Sequence, residues 1–224
     1  IRDGYSDVMA CGGAESCICE LGIGGFASMK ALSDSDDPAR ASIPFDKERS
    51  GFVMGEGSGI LILEEYEHAV KRGAKILGEI AGYGASRDAN HMTAPLEDGS
   101  GAADCMTLAI RDAGIEPCEV GYINAHGTGT PLNDKGETKA VKLAFGEHSK
   151  ELLISSTKSM TGHLLGASGA IEAVMAIKTL EDQFAPPTVG YKVPDDECDL
   201  KICPNEGVAF DSEYAMSNSL GFGG

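Results

Sequence analysis

The sequence predicts an α/β protein with a mainly parallel sheet and helices buried between layers. Two observations predict it. Short apolar runs alternate with helical periods through short connections. One segment, Leu164 to Leu180, is apolar or small on most sides, interrupted by Ser168, Glu172, Lys178 and Thr179, as a helix enclosed between layers must be. A third feature marks a centre. The stretch Asn124 to Pro131 (NAHGTGTP) places His126 where an apolar strand gives way to glycines, threonines and a proline, which forbid regular structure. Such strand exits are common addresses for functional groups.

In chain order, Asp7 to Cys11 reads as a short buried strand ended by Gly12-Gly13. Leu21 to Leu32 has helix signal only from Phe26 onward, because Gly22, Gly24 and Gly25 weaken its start. Ser33 to Pro38 is a loop. Gly55, Gly57 and Gly59 lead into Ile60 to Leu63, a buried strand; glycines that precede a strand do not form a phosphate loop, which follows a strand and opens a helix. A helix runs from Glu64 to about Arg72, closed by Gly73, with Tyr66, Ala69 and Val70 inward. Ile76 to Tyr83 is the next strand. Ser100 to Ala113 repeats apolar residues at a helical period and ends at Gly114. The strand before His126 contains Val120, Tyr122 and Ile123, and Asn133 or Asp134 caps a helix that ends at Gly146. Leu152 to Ile154 is a further strand, and Gly162 breaks the chain before the apolar helix, whose buried Glu172 must be hydrogen-bonded or ion-paired.

Composition narrows the function classes. The 224 residues and 42% hydrophobic content suffice for a sizeable core. Eighteen basic against 35 acidic residues give a net charge of −17, which argues against nucleic acid and anionic membrane as partners. Seven scattered cysteines without a paired C-x-x-C suggest neither a disulfide framework nor a zinc site, and read as reduced thiols of a cytosol-like compartment. Cys11 could pose as a nucleophile, but at the end of an apolar strand it reads as a small buried hydrophobe. No apolar run reaches the roughly 18 residues of a membrane helix. Ile1 to Gly4 resembles the tail of a helix and Gly221 to Gly224 a turn, so a fragment of a longer protein is expected.

The candidate chemistry rests on His126, His163 and Lys158, which the two strand ends could bring together. Taken alone, the histidines could equally be hydrogen-bonded core residues or, less often, metal ligands. Lys158 could form an ordinary ion pair, and Thr128 and Thr130 could be turn residues.

Taken together, NAHGTGTP (124 to 131), STKSMTGHLLGASG (156 to 169), PFDKERSGFVMGEGSG (44 to 59) and the terminal Gly221-Phe222-Gly223-Gly224 resemble β-ketoacyl-acyl carrier protein synthases, nearest the type II enzymes of fatty-acid elongation. The resemblance runs through the whole chain in order. It implies a thiolase-like fold of layered α-β-α-β-α form, with residues 1 to 75 closing the N-terminal half and 76 to 224 giving most of the C-terminal half. The first part of the N-terminal half and the last strand are missing from it. The family's nucleophilic cysteine lies before the point where this chain begins, and none of the seven cysteines stands in that motif.

By the same resemblance, His126 and His163 stabilise an enolate formed by decarboxylation, and Lys158 balances charge with Glu137, its matching carboxylate, Asp134 lying beside it. Phe222 matches a gating aromatic whose backbone N–H joins an oxyanion hole. Thr128 and Thr130 meet a phosphopantetheine arm, with Thr93 near its entrance, and Leu220 stands where phenylalanine is more usual. The implied partner is an acyl carrier protein, which carries the phosphopantetheine, so no cofactor of the chain's own is expected. Because carrier proteins are acidic, docking needs a local basic patch: Lys30 is the candidate, ahead of Lys71-Arg72-Lys75. A homodimer is implied, in the cytoplasm or in a plastid or mitochondrion. Alternatives are a polyketide-type ketosynthase, a non-catalytic chain-length partner subunit and a non-decarboxylating thiolase.

Overall fold

The computed structural model describes residues 1–223; Gly224, the last residue of the G-F-G-G motif, lies outside the described residues. The fold is mixed α/β, and its core lies around a three-stranded parallel sheet. Strand β3 (Val120–Asn124) is central, with β4 (Leu153–Ser155) on one side and β7 (Tyr214–Ser217) on the other. Val120, Tyr122, Ile123 and Ile154 are fully enclosed, as strands covered on both faces require. Helices α3 (Ser100–Ala113) and α4 (Pro131–Phe145) pack on this sheet through Ala103, Met106, Ile110, Ala140, Val141 and Phe145. A short helix α5 (Lys158–Thr161) follows β4, and after Gly162, at φ +71°, the chain turns into α6 (Ser168–Asp182).

The remaining strands form two separate antiparallel pairs. Strands β1 (Val8–Glu15) and β2 (Gly57–Glu64) form an antiparallel ribbon, and β5 (Phe184–Ala185) pairs antiparallel with β6 (Val208–Ala209). Strand β1 does not stop at Gly12-Gly13. A Cβ on Gly12 would lie 2.0 Å from the Gly59 carbonyl oxygen, and one on Gly13 2.2 Å from that of Gly166, so these glycines admit neighbouring backbone without ending the strand. Nor is the ribbon buried: Ile60 and Ile62 are each 63% exposed, because α6 covers it on one side alone among the described residues.

Helix α1 spans Glu20–Ser28, so the glycine-rich half is the helical half; the Cys19 sulfur accepts the Gly22 N–H at its start. Helix α2 is only Tyr66–Lys71, capped by the Glu65 carboxylate on the His68 N–H, and of its three residues expected inward Ala69 alone is buried. Ile76 to Tyr83 forms no strand. Ile76, Leu77, Ile80 and Tyr83 stay exposed, since a cleft of about 1340 Å³ separates this segment from β7 and no backbone ladder among the described residues reaches it. The same cleft is lined by Gly169, Ala173, Ala176, Ile177 and Leu180, which leaves α6 half-buried where full enclosure was expected. The α4 cap also differs: Thr130 holds the N-cap position without a side-chain bond, and Asp134 turns inward. No helix among the described residues is long and apolar enough to cross a membrane.

Two glycine-to-alanine changes should separate close approach from flexibility. Gly13→Ala should destabilise by about 1–3 kcal/mol through the clash with Gly166. Gly24→Ala, in α1 with nothing within 4 Å, should instead stabilise by about 0.5–1 kcal/mol. Chemical denaturation of both variants reads the opposite signs.

Candidate active site

The site begins with two strand ends. Parallel pairing of β3 and β4 sets Asn124 opposite Ser155, and the Ala125 N–H donates to the Ser155 carbonyl oxygen at 2.9 Å, so His126 and the Ser156-Thr157-Lys158 turn leave the sheet side by side. His163 arrives from another direction. Its backbone joins residues 53–55, donating to the Val53 oxygen at 2.7 Å and accepting from the Gly55 N–H at 2.9 Å. The imidazoles of His126 and His163 then meet edge to face, centroids 5.2 Å apart at 86°. Phe52 packs against the far side of His163, also at 5.2 Å. Both motif histidines and Lys158 therefore lie together.

Lys158 is 1% exposed and lies behind the rings. Its ammonium pairs with the buried Glu172 carboxylate of α6 and approaches His126 Nδ1 at 3.4 Å. The paired carboxylate is thus Glu172, not Glu137. Glu137 is fully buried and accepts three neutral donors: the His126 N–H and the Gly127 N–H at 2.8 Å each, and Asn218 Nδ2 at 3.2 Å. Asp134 plays a parallel part. It accepts the Phe45 N–H at 2.8 Å and the Gly129 N–H at 3.3 Å, with Arg49 Nε at 3.5 Å. These carboxylates clamp the backbone of the His126 loop. Phe45, at φ +65°, is held in this left-handed turn against Gly127.

Electrostatics make both histidines neutral. Burial, then the Lys158 ammonium and His163, hold His126 well below the ordinary histidine range. Burial and Lys158 hold His163 down to about 3. Burial pushes Glu172 up to about 7, against the pull of the lysine. Burial also raises Glu137 and Asp134, opposed first by their N–H donors. A lysine ammonium can only donate, so its approach makes His126 Nδ1 an acceptor and leaves the proton on Nε2. At His163 the Leu165 N–H at 3.2 Å and the Ser168 hydroxyl at 2.9 Å occupy Nδ1. Two neutral imidazoles with Nε2–H groups free of hydrogen-bond partners among the described residues can stabilise a developing oxyanion.

Other expected residues lie elsewhere. The Thr128 and Thr130 hydroxyls bond to each other at 2.9 Å, on the loop that carries His126. Thr93 is exposed in the loop after His91, and Phe222 is 59% exposed in a turn whose Gly223 oxygen accepts the Asp88 N–H at 3.1 Å. No hydrogen bond or ring stacking among the described residues links Thr93 or Phe222 to the histidine pair. Lys30 is exposed just beyond the C-terminus of α1, at φ +54°. Asn218, Ser168 and Phe52 were not singled out from sequence. Asn218 follows β7 and Ser168 opens α6, but only folding brings either near a histidine loop.

Family models match in two stretches: "Beta-ketoacyl synthase, N-terminal domain" over residues 1–69 and "Beta-ketoacyl synthase, C-terminal domain" over residues 77–192. The chain is 54% identical over its full length to a 3-oxoacyl-[acyl-carrier-protein] synthase 2 of Synechocystis sp. and 53% identical to that of Vibrio harveyi, covering 54% of each. It thus spans about half the length of the curated relatives it matches. Among solved structures, the whole chain superposes with TM-score 0.97 and 45% identity on 55% of a structure of a type II PKS acyl-carrier protein in complex with its ketosynthase, and with TM-score 0.94 and 40% identity on 54% of a β-ketoacyl synthase from Burkholderia phymatum.

The neutral rings give a pH signature. A histidine whose folded pKa is depressed contributes stability that is complete above its unfolded pKa of about 6.5 and is lost as pH falls toward the folded value. NMR of the imidazoles should show His126 and His163 neutral from pH 8 to below pH 5, while stability holds down to about pH 6.5 and below it falls by up to about 1.4 kcal/mol per pH unit per buried histidine. The ion pair predicts a second outcome. Lys158→Ala should cost about 3–5 kcal/mol by stranding Glu172, and Lys158→Met combined with Glu172→Gln should cost less, as read by denaturant unfolding.

Proposed function

The chain belongs to the β-ketoacyl synthase family, and from that premise we propose that it supplies the two-histidine half of a 3-oxoacyl-acyl carrier protein synthase of fatty-acid elongation. The reaction is a decarboxylative Claisen condensation. Malonyl carrier protein breaks its bond to the carboxylate and releases carbon dioxide, and the electron pair left behind becomes a thioester enolate. The enolate carbon attacks an acyl thioester, forms the new carbon–carbon bond and expels the thiolate, giving 3-oxoacyl carrier protein.

The observation that carries this reading is the paired presentation of Nε2–H by His126 and His163, each with Nδ1 occupied by a donor. The enolate oxygen gains its charge only after decarboxylation, so fixed neutral donors lower the barrier where charge develops. Neutral rings suit the task, since an imidazolium would be acidic enough to protonate and quench the enolate carbon, whereas a neutral imidazole is not. Lys158 acts behind His126 as a positioning and charge-balancing group, held by Glu172. Glu137 and Asp134 support the loop from its backbone side.

The acyl-bearing thiol is assigned to the part of the relatives' length that this chain does not span. Burial raises the thiols of Cys17, Cys105, Cys198 and Cys203, the opposite of what an activated nucleophile needs. The partner is an acyl carrier protein. Its phosphopantetheine arm would reach the site past Thr93, Thr128 and Thr130, with Phe222 as gate and oxyanion donor and Lys30 as a docking cation. Residues 1–75 and 76–224 are read as belonging to successive halves of the fold. Against a chain-length partner subunit stands the retention of His126, His163 and Lys158 together, and against a polyketide role the higher identity to the synthase 2 relatives.

The test is carbon dioxide release from malonyl carrier protein, in the polypeptide extended to the length of its relatives. His163→Ala should lower release by about 10²–10³-fold, the loss of one oxyanion donor. Release that persists unchanged in the variant would refute the enolate role, and no release from wild type would favour the non-catalytic partner.

A further inference from the structure

The motif around His163 contains a hydroxyl that lies against the ring itself. Ser168 is the first residue of α6 and is 5% exposed. The N-cap position before it is Ala167, so the capping role that serine often fills does not fall to Ser168. The helix start has no side-chain cap, and the Ser168 hydroxyl lies 2.9 Å from His163 Nδ1.

A hydroxyl can donate or accept, so this contact alone leaves the tautomer open. The Leu165 N–H resolves it. It lies 3.2 Å from the same Nδ1 and can only donate, so Nδ1 is the unprotonated nitrogen and the Ser168 hydroxyl must donate as well. Leu165 reaches this position in a left-handed conformation, φ +45°, costly for a leucine, and the next residue is anchored by the Gly166 N–H on Glu15 Oε2 at 3.1 Å. The turn is therefore shaped around the ring.

From this geometry we infer that Ser168 is a positioning residue that fixes His163 as its Nε2–H tautomer. The two histidines reach the same state by different means. His126 has the Lys158 ammonium at Nδ1, whereas His163 has no charged donor among the described residues and relies on the hydroxyl with one backbone N–H. Without the hydroxyl, the longer N–H contact alone would hold the ring. The Nδ1–H tautomer and the flipped ring would then become populated, and each withdraws the N–H donor from the face shared with His126.

The inference bears on catalysis through the synthase reading, but the tautomer can be measured without it. The protein is labelled with 15N-histidine, and two-bond 1H–15N correlations assign the protonated nitrogen of His163, with His163→Gln identifying its signals. Wild type should show Nδ1 as a hydrogen-bonded acceptor and Nε2 protonated. Ser168→Ala should weaken the tautomer preference about five- to tenfold, the worth of one ordinary hydrogen bond, and Ser168→Thr, which keeps the hydroxyl, should restore it. In the malonyl carrier protein assay, Ser168→Ala should lower kcat by a similar factor with little change in KM. A protonated Nδ1 in wild type, or a tautomer equilibrium unmoved by Ser168→Ala, would overturn the inference. If the tautomer shifts as expected but wild type releases no carbon dioxide, the positioning stands and the synthase reading falls. Should Ser168→Ala fail to fold, the wild-type assignment together with Ser168→Thr decides.

Discussion

The buried ammonium of Lys158 is the constraint around which the site is built. It lies where three elements converge: it follows β4, it meets Glu172 on α6, and it approaches the ring of His126 beyond β3. A charge so enclosed needs a partner, and removing the carboxylate would leave several kcal/mol of desolvation unmet. The pair thus locks the register of α6 against the sheet. It also contributes to the chemistry: burial first, and then the positive charge that Glu172 retains in the interior, keep both imidazoles from taking a proton.

The opposite side of the His126 loop is fixed by the reverse arrangement, buried carboxylates that face backbone donors. Glu137 takes the N–H groups of His126 and Gly127, and Asp134 takes those of Phe45 and Gly129. Both acids lie in the first two turns of α4, where the helix dipole also favours negative charge. A loop of glycines and threonines would otherwise sample many conformations. Here it is tied at nearly every step, which is the preorganisation that an oxyanion donor requires. Arg40 and Arg49 extend the network through Asp46 and Asp195 to residues 190–195, so the charged block at 44–59 is a brace beneath the site.

Away from the site the fold is open. The apolar outer face of β1 and β2, and the cleft between residues 76–84 and β7, expose surface of the kind that a polypeptide layer ordinarily covers. The chain's matches span about half of each relative, and half-exposed α6 packs on the covered face of the ribbon and lines the cleft. The same helix carries Glu172 and Ser168 toward the histidines. Whatever covers its outer side therefore bears on the site through a single rigid element.

Elements with a local signal are legible in the residues: the helix from Ser100 to Gly114, the strand ahead of His126, the strand at Leu152 to Ile154, and a pair of histidine motifs each placed beside a strand end or glycine turn. The sequence also carried the family, through four motifs in a fixed order. What it could not determine was pairing. Gly12 and Gly13 read as a strand end because their close neighbours, Gly59 and Gly166, are distant in sequence. Ile76 to Tyr83 has the composition of a strand, but a strand is completed by a partner's backbone, and none reaches it among the described residues. That Lys158 pairs with Glu172 and not Glu137, and that Ser168 turns onto His163, follows from packing alone. Burial sets the strength of an ion pair, and geometry sets the direction of a hydrogen bond; neither is carried by a residue's identity or by its spacing along the chain.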